Sequence, residues 1–112
     1  AIQHCYFSTH YAPDKNDPRS EKFMTAYKKR FNGQMPDALT AAAYDAANVL
    51  FDAIKRAGST DSARLRDALA ATKDFPGVTG NITIDKERNA VKPAVILQVR
   101  GKDYKYIATI NP

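Results

Sequence analysis

The two histidines, His4 and His10, are the residues whose chemistry first suggests a metal site. A zinc site needs several imidazole, thiolate or carboxylate ligands around one point. These histidines lie about 20 Å apart in an extended chain, at roughly 3.3 Å per residue. The single cysteine, Cys5, supplies no second thiol and is expected to be a buried, inert side chain. The spacing predicts strand-edge histidines and no bound metal or cofactor.

Hydrolysis is the other chemistry that the residue types raise. Ser8 and His10 share one side of an extended segment, as a nucleophile and its base would. Such a contact arises by chance in many strands, and no Gly-X-Ser-X-Gly elbow is present. The segment Gly77–Gly80 is not a phosphate loop, because no lysine follows it and no helix is predicted there. We therefore predict that the chain is not an enzyme.

The aspartates near predicted helix starts are explained without a catalytic role. Asp14, Asp17 and Asp37 precede helices, where a carboxylate accepts hydrogen bonds from free N–H groups. Asp61 falls in the first turn of a third helix, where its charge is favoured by the helix dipole.

Composition indicates one ordinary globular domain rather than a nucleic-acid binder. The chain has 112 residues, of which 44% are hydrophobic and 26% charged, with a net charge of +5. The basic residues are spread along the chain, whereas nucleic-acid binders usually concentrate them on one face. A solvated surface is the favoured interpretation, and a face that docks a partner is the alternative.

Three helices are predicted from their starts, ends and apolar spacing. The first begins at Asp17–Pro18 and ends at Asn32–Gly33. The second runs from Asp37 to Gly58, and the third follows a cap at Ser59–Asp61. The apolar face predicted for the second helix consists of Leu39, Ala42, Ala43, Ala46, Val49, Leu50, Ala53, Ile54 and Ala57.

Strands are predicted at both ends of the chain, which gives an α/β fold with a C-terminal β-hairpin. The predicted strands are 4–9, 81–85, 94–99 and 104–110, and residues 75–80 are predicted to be a turn. One opening strand beside a hairpin makes a thin sheet. The apolar surface of the three predicted helices is larger than such a sheet can cover. Part of the fold is therefore expected to come from elsewhere.

Five longer stretches carry a recognisable pattern: FSTHYAPD (7–14), FMTAYKKRFNGQMPDA (23–38), AAAYDAANVLFDAIKRAGSTD (41–61), LRDALAATKDFPGVTGNITID (65–85) and VKPAVILQV (91–99). They resemble the C-terminal part of type I periplasmic binding proteins of the branched-chain (leucine/isoleucine/valine) amino-acid ABC transporter family. None of the stretches is diagnostic alone, but together they cover nearly the whole chain.

The resemblance implies that the chain is a fragment of a two-lobed fold with Rossmann-like lobes. Residues 1–10 and 91–112 would be second-lobe strands, and residues 11–90 would be first-lobe helices and a turn. The ligand of such proteins lies in the cleft between the lobes and is held mainly by upstream residues. The sequence therefore leaves the ligand's identity open.

The resemblance also implies three candidate ligand-binding residues. Leu39 matches a position near the ligand side chain, with an ordinary core position as the alternative. Tyr44 is either a ligand contact or a packing residue of the second helix. Tyr11 lies in the crossover loop and either orders the hinge or is a simple loop aromatic.

The implied function is solute binding for an ABC transporter in the periplasm, with a lipid anchor on the full-length form as an open alternative. The implied partners are an amino acid, the membrane permease and, as a further alternative, the missing N-terminal lobe segment as a separate chain. No nucleic-acid partner is implied. The competing interpretation is a stand-alone α/β interaction module that dimerises or pairs with another chain to complete its sheet.

Overall fold

The structure is a computed structural model that describes residues 2–13 and 16–112. Within these residues it confirms the α/β class, with three helices and two small antiparallel sheets. The elements are β1 (Tyr6–Thr9), α1 (Pro18–Arg30), α2 (Ala38–Ala57), α3 (Ser62–Ala70), β2 (Phe75–Gly77), β3 (Gly80–Ile84), β4 (Ala90–Val91), β5 (Ala94–Arg100) and β6 (Asp103–Ile110).

The first sheet has the order β1-β5-β6 and contains the predicted hairpin. Strand β5 lies in the centre, with Thr9 of β1 and Thr109 of β6 both opposite Val95. Val95 and Leu97 are buried, which agrees with the apolar run predicted there. We call β1, β5 and β6 the sheet body.

The second sheet has the order β2-β3-β4 and contacts α2 through β2. We call this sheet and the three helices the helical body. The sequence predicted residues 75–80 as a turn only, and that prediction was incomplete. Phe75–Gly77 pairs with β3, so the turn itself is Val78–Thr79. A proline was the misleading signal, but Pro76 is exposed and lies in an outer strand of the sheet, where a missing N–H is tolerated.

The helix boundaries follow the predicted caps. The carboxylates of Asp17, Asp37 and Asp61 accept hydrogen bonds from backbone N–H groups of the first turns of α1, α2 and α3. Gly58 ends α2 in the left-handed region, with φ of 61°. The capping role predicted for Asp14 lies outside the described residues.

The buried face of α2 differs from the predicted one. Its buried residues are Ala41, Asp45, Val49 and Ala53, at intervals of one turn plus a fraction. Leu39, which was predicted on the apolar face, is 81% exposed, so no other described residue buries it. Other exposed members of the predicted face are Ala43, Ala46 and Leu50. This uncovered stripe is named the bare face of α2.

Asp45 accounts for the rotation of the buried face, because its carboxylate binds the β2–β3 turn. It accepts hydrogen bonds from the Val78 N–H at 2.8 Å, the Thr79 N–H at 2.9 Å and the Thr79 hydroxyl at 2.6 Å. A Cβ on Gly77 would lie 2.6 Å from an Asp45 carboxylate oxygen, so only glycine permits this approach. A buried carboxylate is tolerable here because donors replace the water it loses.

Each body has its own apolar core. In the helical body Tyr11, Phe23, Ala41 and Val78 pack together. In the sheet body the core is Ala12, Val95 and Leu97. Consecutive residues of the first crossover, Tyr11 and Ala12, therefore belong to different cores.

The cysteine prediction was wrong, because Cys5 is exposed. Its position just before β1 leaves the thiol outside both cores. Among the described residues, no cluster of three or more histidine, cysteine or acidic side chains is arranged to hold a metal ion. Within the same residues, no helix is both long and apolar enough to cross a membrane.

The molecule is extended for its size. Its radius of gyration is 16.0 Å, whereas a compact domain of this length has about 13 Å. Its accessible surface is 7829 Å², against about 6,100 Å² for a self-contained protein of the same mass. The excess of about 1,700 Å² exceeds the roughly 800 Å² that each partner buries in a standard interface.

We predict that Asp45→Asn lowers the free energy of unfolding of the intact protein by about 3 kcal/mol, because an amide turns donors toward the donors of the turn. Urea denaturation measures this. The matched control is Asp52→Asn on the same helix, whose part-exposed carboxylate pairs with Arg56 at 2.7 Å and is worth less than about 1 kcal/mol. Equal losses in the two variants would contradict the structural role of Asp45.

Candidate functional site

A groove of about 640 Å³ lies between the two bodies and is the candidate binding site. The crossover segment Tyr11–Pro13 forms part of its wall. We call it the interbody groove. Its lining comprises Phe7, Thr9, Tyr11, Pro13, Met35, Pro36, Asp37, Ala38, Leu97, Lys102, Asp103 and Tyr104.

The groove combines apolar walls with a few charges at fixed places. Phe7 and Tyr104 pack edge to face, with ring centroids 5.1 Å apart. Asp37 contributes a carboxylate whose pKa is lowered by a hydrogen bond from the Thr40 backbone N–H. Lys102 and Asp103, at the turn between β5 and β6, contribute a cation and a second carboxylate. Such a groove can hold a small molecule with an apolar side chain and both charges of an amino acid.

Tyr11 is the predicted site residue that the structure places in the interbody groove. It is 5% exposed, and its ring packs edge to face with Phe23 at 6.2 Å. Its hydroxyl accepts a 3.0 Å hydrogen bond from the buried Ser20 hydroxyl. Burial raises the pKa of Tyr11 above its ordinary value, partly opposed by that bond, so the phenol stays neutral at physiological pH.

Leu39 and Tyr44 are not gathered with Tyr11. Ala38, the first residue of α2, lines the interbody groove, whereas the next residue, Leu39, does not. The side chain of Leu39 is exposed to solvent. Tyr44 lies in a second groove of about 730 Å³ between α1 and α2. The ring centroids of Tyr44 and Phe23 are 4.6 Å apart, so Tyr44 packs against α1, which agrees with its interpretation as a packing residue of the second helix. The ligand role of each residue stays a prediction.

Sequence reasoning missed several residues that shape the site. Phe7 and Tyr104 were placed on strands, but which faces meet depends on the register of β5 with both neighbours. One sequence signal for the rotation of α2 was available. Asp45 is a charged residue within an otherwise apolar, alanine-rich stretch, which indicates a specific polar partner.

Comparison with known proteins gives a consistent family. A sequence profile described as "Periplasmic binding protein" matches residues 1–105. A curated relative, the Leu/Ile/Val-binding protein homolog 1 of Brucella abortus, is 31% identical over 94 residues; the match covers 80% of this chain and 25% of the relative.

Solved structures agree with that match. A leucine-binding protein from Thermotoga maritima is 38% identical with a TM-score of 0.86, over 99% of this chain and 32% of that one. A branched-chain amino acid binding protein from Streptococcus pneumoniae, solved with isoleucine, is 29% identical with a TM-score of 0.78, over 91% and 30%. The 112 residues thus span about a quarter to a third of the length of these relatives.

For Tyr11→Phe we expect a loss of about 1–2 kcal/mol in the free energy of unfolding at neutral pH, because the buried Ser20 hydroxyl loses its partner. The variant should also change the alkaline pH dependence. The folded-state pKa lies above the ordinary value of 10.0, so Tyr11 contributes stability below pH 10 that is lost as pH rises through its folded pKa.

Urea denaturation of the intact protein from pH 7 to pH 11 tests both effects. Tyr104→Phe, at a 61% exposed position, is the control. An alkaline slope that persists unchanged in Tyr11→Phe would contradict the assignment.

Proposed function

The chain belongs to the periplasmic binding protein family, and on that basis we propose that it is part of the solute-binding component of an ABC transporter for branched-chain or related amino acids. The observation that carries the proposal is the likeness to a leucine-binding protein, with a TM-score of 0.86 over 99% of the chain. Recognition of ligand rather than a catalytic step is the proposed activity. The proposed location is the periplasm, with a membrane permease as partner.

The two bodies are proposed to be parts of two lobes. Residues 1–10 and 91–112 would belong to one lobe, and residues 11–90 to the other. The separate cores around Val95 and around Phe23 support this division, as does the extended shape. Ligand bound to both lobes would favour the closed population, which the permease would then recognise.

The ligand is proposed to lie against the interbody groove and the exposed start of α2. An aliphatic side chain would contact Leu39, which is 81% exposed beside the groove, in a chain whose other apolar residues of similar size are more covered. The groove is lined by one cation, Lys102, and two carboxylates, Asp37 and Asp103, so it offers a partner to each charge of a zwitterion. Tyr11 would fix the crossover, and Tyr44 is retained as a weaker ligand candidate because it lies in the other groove.

A second candidate, an α/β module that dimerises or pairs with another chain, is favoured by one observation. The chain has about 1,700 Å² more accessible surface than its mass requires. The bare face of α2 contributes to that excess. Under the first proposal this surface is covered by the rest of a two-lobed fold; under the second, by a copy of the chain or another protein.

A ligand screen on the intact protein tests the first proposal. Leucine, isoleucine and valine should raise the melting temperature, because a ligand at 100 times its Kd stabilises the folded state by about 2.7 kcal/mol. Lysine and glutamate at the same concentration are the controls. No shift with any aliphatic amino acid would sink the proposal.

Leu39→Ala should weaken leucine binding about tenfold in calorimetric titration, since apolar contacts of this size are worth about 1–3 kcal/mol. Ile107→Ala, at a 41% exposed position in β6, serves as the control and should leave Kd unchanged. Equal affinity in both variants would remove Leu39 from the site.

Sedimentation of the isolated 112 residues distinguishes the two candidates. If the excess surface pairs copies of the chain, the species should be larger than 12.4 kDa at micromolar concentration. Ala46→Glu, within the bare face, should then restore the monomer, while Ala70→Glu at an exposed position of α3 should not. A monomer that unfolds cooperatively would rule out pairing between copies of the chain.

A further inference from the structure

A buried polar chain joins α2 to the segment between β4 and β5, which we call the second crossover. Its first member, Asp45, also lines the groove between α1 and α2. Asp45 and Thr79 are each 2% exposed, and the Thr79 hydroxyl donates to the Asp45 carboxylate at 2.6 Å. The same hydroxyl oxygen accepts a 3.2 Å hydrogen bond from Lys92 Nζ. The hydroxyl therefore links a fixed carboxylate to a lysine 47 positions away from it in the chain.

The Asp45 end of this chain is held rigidly. Two backbone N–H groups of the turn bind the carboxylate, and Gly77 allows the close approach that any Cβ would block. Thr79 uses its single proton toward Asp45, so its lone pair faces Lys92. Partial burial lowers the pKa of Lys92, and the nearby negative charge of Asp45 opposes that shift.

Lys92 occupies a particular place in the connection between the two bodies. It follows β4, which belongs to the helical body, and Pro93 then precedes β5 of the sheet body. Pro93 also contacts the turn: a Cβ on Gly80, where φ is +116°, would lie 2.8 Å from the proline ring. Two consecutive crossover residues are thus held by the helical body.

The contacts with the sheet body begin immediately after Pro93. Val95 is 1% exposed and packs with Ala12 and Leu97 in the other core. Ala94 lies between Pro93 and Val95 and is already part of the sheet body, because it begins β5 and pairs with Ile110. It is only half buried. A change in angle between the bodies has few other backbone positions in this crossover to use.

We propose that Lys92 is a positioning residue that fastens the second crossover to the helical body through Thr79 and Asp45, so that this crossover bends where Pro93 joins Ala94, the first residue of β5. The inference rests on the proposed two-lobed function, in which the angle between the bodies sets how far the cleft closes. Without the lysine contact, the bend would spread back to residues 92 and 93, and the resting angle would vary more widely.

Distances between spin labels on the two bodies test this in the intact protein without ligand. The exposed Cys5 carries one label, and Ala63→Cys, at an exposed position of α3, carries the other. Pulsed electron resonance should give a narrow distance distribution in the parent protein. Lys92→Met, which keeps the stem but not the charge, should lose that narrow peak.

Thr79→Val and Thr79→Ser form the matched pair, because only serine keeps the linking hydroxyl. Thr79→Val should broaden the distribution as Lys92→Met does. The distribution of the double variant should be no broader than that of either single variant, because both substitutions remove the same Lys92–Thr79 hydrogen bond. Lys73→Met, at an exposed position of the same body, is the surface control. Lys92→Gln replaces Lys92→Met if the latter does not fold.

A folded Lys92 variant with an unchanged distance distribution would overturn the proposal, even if its melting temperature falls, because the lysine would then only stabilise the fold. Adding leucine separates this from the proposed function. If leucine does not alter the parent distribution while Lys92→Met still broadens it, the ligand proposal fails and the positioning role stands.

Discussion

The carboxylate of Asp45 is the interaction on which the rest of the structure depends. It joins the middle of the longest helix to a two-residue turn, and it does so with three hydrogen bonds to a turn that is buried. Because a buried charge is costly without donors, this contact fixes both the rotation of α2 and the place of β2 and β3. Phe23 and Val78 can pack together only once that turn is placed.

Two small cores follow from this arrangement, and the chain passes between them twice. Tyr11 and Ala12 are neighbours in sequence but contribute to different cores. In the second passage Lys92 and Pro93 contact the helical body, and Val95 the sheet body. Short connections with firm contacts on either side confine bending to few residues, which is the property a two-lobed binding protein requires of its hinge.

The uncovered surface fits the same picture. A chain that covers about a third of a leucine-binding protein's length lacks the partners of its own apolar faces. Small residues along the bare face of α2 permit close approach by a neighbouring element, and Leu39 stands exposed at its start. Under the proposed function, the excess area is the surface that the rest of a two-lobed fold would cover.

Local signals in the sequence determined where the helices begin and end. Asp17–Pro18, Asp37 and Gly58 act through hydrogen bonds and φ values within one turn, so no distant residue is needed to read them. The longer strands, β5 and β6, were also predicted from local sequence, through an apolar run and an alternating pattern. The buried face of α2 was decided only by tertiary structure, because the donors to Asp45 lie 33 and 34 residues away and outweigh the burial of apolar side chains predicted by periodicity.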